Sequence, residues 1–230
     1  LAGKNFATPG LGGTQDVALR SYLSDKGLTF DVGGDVAITP SDNAATLSLF
    51  QKGDIDGAWV PEPWASRLVL EGDGKVLVNE ADLWENGAFA TTLIAATSSF
   101  STEYPAAVEA VLEANLDALQ LIENAPEEAK LLSQQEIARQ TGKTLAIETL
   151  DRAWSNLKFG YDPLALTLQK SADDAVKVLA HVGDGHQPAE GRQQSREDEA
   201  ERSVEVRAEA DAPDRLGVST HRHHPDAELR

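Results

Sequence analysis

The sequence predicts an α/β fold with a largely parallel sheet, and three features lead to that class. Short runs of β-branched and aromatic residues alternate with stretches of helical periodicity over the first eighty residues. Gly, Pro or an Asx/Thr cap marks almost every changeover. Such alternation places helices on the faces of a parallel sheet. From residue 100 onward the apolar spacing becomes helical throughout, which adds a helical remainder to the α/β part.

The elements follow in order. Asn5-Phe6-Ala7 reads as a strand running into Thr8-Pro9-Gly10-Leu11-Gly12-Gly13. A helix starts at Thr14, with Val17, Ala18 or Leu19, Tyr22 and Leu23 on its apolar side and Gly27 as its stop. Val36-Ala37-Ile38 is the second strand. Ser41-Asp42 opens a second helix that Gly53 ends. Ile55 and Ala58-Trp59-Val60 form a third strand, and Pro61-Glu62-Pro63-Trp64 opens a third helix through Leu70. Lys75-Val76-Leu77-Val78 and Thr91-Thr92-Leu93-Ile94-Ala95-Ala96 read as two further strands. Pro105 and Pro126 each sit at a helix start, and Leu145–Leu157 and Pro163–Leu179 complete the helices.

Composition narrows the function. The formal net charge is −18 and no run of Lys and Arg occurs, so nucleic acid and anionic membranes are disfavoured partners. No apolar run reaches the roughly 18 residues that a membrane span needs. Leu1–Phe6 lack the pattern of a secretory signal, so an export signal is expected upstream if the protein is exported. Cysteine is absent, which removes disulfides and thiolate chemistry. Every lysine lies at or before Lys177 and every histidine at or after His181. Residues 183–230 are rich in Arg, Glu, Asp, Ala and Pro without apolar periodicity, and are expected to be a disordered tail. This switch of composition reads as a shifted reading frame or a fused unrelated sequence. His221-Arg222-His223-His224 reads as part of that tail rather than as a metal site, because no second ligand group of defined spacing stands nearby.

Three constellations have the right position for ligand chemistry. Gly10-Leu11-Gly12-Gly13-Thr14-Gln15-Asp16 joins a strand to a helix, where first-turn N–H groups and the helix dipole make an anion seat. An ordinary turn capped by Thr14 has the same pattern. The spacing fits neither a P-loop nor a dinucleotide fingerprint. Trp59-Val60-Pro61-Glu62-Pro63-Trp64 also lies beyond a strand end, where two indoles and an acid offer a wall and a polar hook. Trp59 reads first as core, and Trp64 first as site. Thr39-Pro40-Ser41-Asp42-Asn43 reads as simple capping. With neither His nor Cys in residues 1–180, and no paired acids or Gly-x-Ser-x-Gly elbow, no catalytic residue, metal ligand or cofactor is expected.

Taken as an ordered set, Leu1-Ala2-Gly3-Lys4, Gly12-Gly13-Thr14-Gln15-Asp16-Val17-Ala18-Leu19-Arg20, Gln51-Lys52-Gly53-Asp54-Ile55-Asp56-Gly57-Ala58-Trp59 and Pro61-Glu62-Pro63-Trp64 resemble the nitrate/sulfonate/taurine family of ABC-importer substrate-binding proteins. Asn86-Gly87-Ala88-Phe89 and Tyr161-Asp162-Pro163-Leu164 fit the same family, and the likeness covers about residues 1–180. The resemblance implies a type II periplasmic-binding-protein fold, two α/β lobes around a ligand cleft. Residues 1–92 would form the second lobe, 93–182 a crossover strand and the helices of the first lobe, and 183–230 the tail. It also implies a stretch ahead of Leu1 that carries an export signal and the first lobe's sheet, so that the chain alone should bind weakly. The implied ligand is a small organic anion such as an alkanesulfonate or taurine, and the implied partner is a membrane permease. The implied location is periplasmic or extracytoplasmic, with a lipid anchor as one form. Gly12, Gly13, Thr14 and Gln15 would hold the anion, and Trp59, Glu62 and Trp64 would face the same cleft. Relatives often carry serines where Gly12 and Gly13 stand, which shifts the work from hydroxyls to backbone N–H groups. Nitrate, bicarbonate and a thiamine-precursor pyrimidine are alternative ligands. An enzyme of the related pyrimidine-synthase type lacks its histidines and cysteines here, and a regulator's effector domain lacks a DNA-binding helix pair.

Overall fold

Asn5–Thr8 pairs on both sides and so becomes the central strand, β1. In the computed structural model, which describes residues 1–179, its partners are β2 (Ala37–Pro40) and β3 (Gly57–Ala58). Both pairings are parallel, in the order β2-β1-β3. Phe6 faces Ile38 on one side and Gly57 on the other. A Cβ on Gly57 would come within 2.6 Å of the Phe6 ring, so this close strand approach requires glycine. Beyond β3 the ladder continues for one more bond, from Trp59 N–H to the Ala7 carbonyl at 2.9 Å.

The crossovers between strands are helical, as a parallel sheet requires. Helix α1 (Thr14–Asp25) follows β1 and α2 (Asn43–Lys52) follows β2. The α1 helix ends with Gly27 at φ +72°, Gly27 N–H on the Ser24 carbonyl and Leu28 N–H on the Leu23 carbonyl, the paired bonds of a glycine-terminated helix. Asp42 caps α2 through Ala45 N–H at 2.9 Å. Leu19, Leu23 and Val36 form the centre of the core, with Phe6, Leu28, Phe30, Ile38 and Trp59 packed around them. Helix α3 (Trp64–Gly72) packs on α2.

The two further expected strands do not form. Residues 75–78 and 91–96 pair with nothing among the described residues. Leu77 is 69% exposed and Ile94 61%. A strand needs a ladder partner, and β3 is too short to offer one along its outer edge. The chain instead makes two 3-10 turns, Glu80–Leu83 and Glu85–Gly87. Then come α4 (Ser98–Glu103), α5 (Pro105–Asn124), α6 (Pro126–Thr141), α7 (Ile147–Ser155) and α8 (Ala165–Leu179). Among the described residues, α7 returns to α3 and α8 returns to α1. Helix α5 buries none of its residues. No described helix is long and apolar enough to cross a membrane. The expectations for residues 183–230, including His221–His224, lie outside the described residues.

The apolar side of α1 holds as expected for Val17, Leu19 and Leu23, but two charged residues are buried with them. Asp16 is fully buried. It accepts from Thr8 Oγ1 at 3.0 Å, Gly12 N–H at 3.0 Å and Arg20 Nε at 2.8 Å. Arg20 also lies against the Phe30 ring, 5.2 Å from its centroid. Removing one partner of a buried ion pair leaves an uncompensated charge, so Asp16→Ala should lower unfolding stability by about 3–5 kcal/mol. Urea denaturation measures this, and Asp16→Ala/Arg20→Met should recover part of the loss. A loss below about 1 kcal/mol would match an exposed pair and contradict the buried network.

Candidate functional site

Beyond the carboxyl end of β1 the chain turns through Gly12, at φ +76°, into α1. The N-cap, Gly13, has no side chain to satisfy the first turn. The opening of α1 therefore presents N–H groups and the positive end of its dipole to whatever lies in front. Beside this opening, and along the next turn at Val17 and Ala18, lies a cleft of about 230 Å³, below the roughly 300–1,000 Å³ typical of drug-sized ligands. Thr14 and Gln15 line one wall, with the Thr14 hydroxyl donating to Gln15 Oε1 at 3.0 Å. Helix α8 supplies another wall through Asp174, and the segment after α3 supplies Glu80, Trp84 and Phe89.

The expected site residues divide into two groups. Gly12, Thr14 and Gln15 line the cleft. The Gly12 N–H is engaged by Asp16, and the Gly13 N–H by the Gly10 carbonyl at 3.3 Å. Gly13 serves as N-cap, its carbonyl accepting from Val17 N–H at 3.0 Å. The resemblance had grouped Trp59, Glu62 and Trp64 with them, but none of these three lines this cleft. Glu62 instead accepts from Ser66 N–H at 3.0 Å, at the start of α3, and from Asn156 Nδ2 at 2.6 Å, tying α3 to the end of α7. Trp64 lies under the Arg67 guanidinium, 4.5 Å from its ring centroid, and Arg67 is held in turn by Glu71 at 2.6 and 2.9 Å. Trp59 packs on the core and against Tyr22, as its first reading expected.

Trp59 nevertheless reaches the site through its polar edge. Its indole N–H donates to Glu80 Oε2 at 2.7 Å. The Trp84 indole, also a donor, favours the charged form of the same carboxylate. Trp84 stacks on Phe89 at 5.4 Å and 9°, and the Lys170 ammonium sits 4.9 Å from its ring centroid. Lys170 also pairs with Asp174. Sequence reasoning passed over Glu80, Trp84, Lys170 and Asp174. The available signal was Trp84 itself, one of four tryptophans, beside Leu83 in the acidic stretch Asn79–Gly87 and five residues before Phe89.

Burial pushes the Glu80 carboxyl above its ordinary value of 4.5, and the two indole donors pull it only partly back. The folded state therefore holds this proton more tightly than the unfolded chain. Glu80's contribution favours folding below the unfolded pKa and is lost as pH rises through the raised folded value. Glu80→Gln keeps an acceptor for Trp59 and removes the charge. It should melt above the parent at neutral pH, with the gap closing as pH falls below 4.5. Calorimetric scans across that range test this, and a gap independent of pH would refute it.

Comparison with known proteins agrees with this architecture. The profile of the NMT1-like family matches residues 2–138. The chain is similar to the taurine-binding periplasmic protein of Escherichia coli (strain K12), with 32% identity over 121 residues, covering 52% of this chain and 36% of that protein. It also resembles the solved periplasmic aliphatic sulphonate binding protein from Escherichia coli, with a TM-score of 0.61 and 22% identity, covering 79% of this chain and 55% of that one. The chain thus spans about a third of the curated relative and about half of the solved one. The structural likeness gives the periplasmic-binding-protein fold, and the profile match over more than half of the residues shows that this chain belongs to the NMT1-like family.

Proposed function

We propose that this chain is part of the solute-binding component of an ABC importer, one that holds a small organic anion such as an alkanesulfonate or taurine and passes it unchanged to a membrane permease. The observation that supports it most is the opening of α1. It lies beyond the carboxyl end of the central strand, has no side-chain cap, and lines a cleft sized for a small molecule. The relatives named above are periplasmic binding proteins by name, which supports the same role and an extracytoplasmic location, free or lipid-anchored. In this reading residues 1–92 are one lobe of the receptor, and residues 93–182 carry a connection and helices of the other. Thr14 and Gln15 present the anion donors. Glu62 and Trp64 support α3 from outside the cleft, and Trp59 acts through Glu80. Transport without chemical change needs closure around the ligand rather than a general base, in keeping with the absence of His and Cys from residues 1–179.

The test is an amide-resolved NMR titration of the chain with ethanesulfonate, which reads weak as well as tight binding. The amides of Gly13, Thr14 and Gln15 should shift saturably. Thr14→Ala should weaken the affinity about 3- to 10-fold, the effect of one lost hydrogen bond. Unmoved α1 amides at saturating ligand would sink the receptor reading.

A further inference from the structure

Of the seven asparagines in the chain, Asn86 alone is followed by glycine. The others precede Phe6, Ala44, Glu80, Leu116, Ala125 and Leu157, whose side chains crowd the backbone nitrogen. Gly87 has no side chain, so its nitrogen is open to the carboxamide carbon of Asn86, with which it can close a five-membered ring.

The fold exposes this pair and also restrains it. Glu85-Asn86-Gly87-Ala88 turns with φ +58° at Asn86 and +64° at Gly87, the two consecutive positive values of a type I′ turn. Asn86 is exposed, and among the described residues its carboxamide has no hydrogen-bond partner. A ψ of 14° at Asn86 swings the Gly87 nitrogen away from the Asn86 side chain. Three bonds hold that geometry. Gly87 N–H donates to the Trp84 carbonyl at 3.0 Å, Ala88 N–H to the Glu85 carbonyl at 3.4 Å, and Lys158 Nζ to the Gly87 carbonyl at 3.2 Å. Ring closure therefore needs the turn to open first, a local event that leaves the core intact.

We propose that Asn86 is a site of spontaneous deamidation gated by opening of this turn, and that its isoaspartyl product unseats the Trp84–Phe89 stack. In the open turn the Gly87 nitrogen gives up its proton and bonds to Asn86 Cγ. Nδ2 leaves as ammonia, carrying that proton. The cyclic imide then takes up one water. Addition at Cγ breaks the new bond and leaves aspartate. Addition at the main-chain carbonyl breaks the peptide C–N bond and leaves the chain running through Cβ and Cγ, one carbon longer. Both products add a negative charge beside Glu85. Only the second lengthens the link between Trp84 and Phe89, whose rings stack across this turn at 5.4 Å and 9°. A type I′ turn has no place for an extra main-chain atom, so the two rings lose their register. Both rings line the cleft, and the modification alters that wall whatever the ligand.

The experiment ages the 230-residue chain at mildly alkaline pH and digests samples at intervals. Mass spectrometry reads a gain of about 1 Da at each asparagine, and an isoaspartyl methyltransferase counts the longer-chain product. Asn86 should convert ahead of the other six asparagines. Unfolding in urea should speed its conversion about tenfold or more, because the turn is then always open. Lys158→Met removes one tie from outside the reacting pair and should speed it about threefold, the effect of one exposed hydrogen bond. The NMR cross-peaks between the Trp84 and Phe89 rings should fade as the isoaspartyl fraction grows, and persist in Asn86→Asp, which keeps the chain length. Conversion of another asparagine first, or equal rates in the parent, in Lys158→Met and in urea, would overturn the gated site. A ring pair that stays stacked in the isoaspartyl chain would overturn its effect on the cleft wall.

Discussion

A fully buried carboxylate joins the end of the central strand, the glycine turn and the first helix, and the geometry of the cleft follows from it. Asp16 binds Thr8 at the end of β1, Gly12 in the turn and Arg20 one helical turn further on. An isolated carboxylate in that position would cost several kcal/mol in lost hydration, which three donors, one of them the charged Arg20, offset. Arg20 in turn lies against Phe30, which packs on the Leu19, Leu23 and Val36 cluster. The start of α1 is thereby anchored to the core, and its direction is fixed before any ligand arrives. The same network takes up the Gly12 N–H, while Thr14 and Gln15 line the cleft.

Charge works at two scales in this molecule. The whole chain repels anions, whereas a helix opening favours them within a few ångströms, because the dipole field falls off within one turn. Glu80, which also lines the cleft, is an acid there. Trp59 connects core and cleft: its ring belongs to the core, and its N–H holds the Glu80 carboxylate. A residue that reads either as core or as ligand-facing is here a core residue that positions a cleft residue.

The helices after residue 100 present a different balance. Helix α5 buries none of its residues, and Val111, Leu112 and Leu116 remain about half exposed, as do Leu131 and Leu132 on α6. Their regular spacing is enough to make helices, since propensity and capping prolines are local properties. It is not enough to give them a core of their own. Most apolar burial lies instead in the first seventy residues, where helices and parallel strands share one interface.

The sequence by itself determined the α/β class, the three paired strands, and the helix starts at Thr14, Asn43, Trp64, Pro105 and Pro126. Those features depend on caps, glycines and periodicity within a few residues, which are written in the chain. Tertiary structure alone decided the rest. Residues 75–78 and 91–96 have strand-like composition but no neighbour to complete a ladder, and a ladder is a non-local property. The burial of Asp16 and Arg20, the tie of Glu62 to Asn156, and the meeting of Glu80 and Trp84 with Asp174 and Lys170 all join residues far apart in sequence or invert their usual exposure. No local pattern encodes such features, and those that join α3 to α7 or the cleft to α8 arise only when α7 returns to α3 and α8 returns to α1.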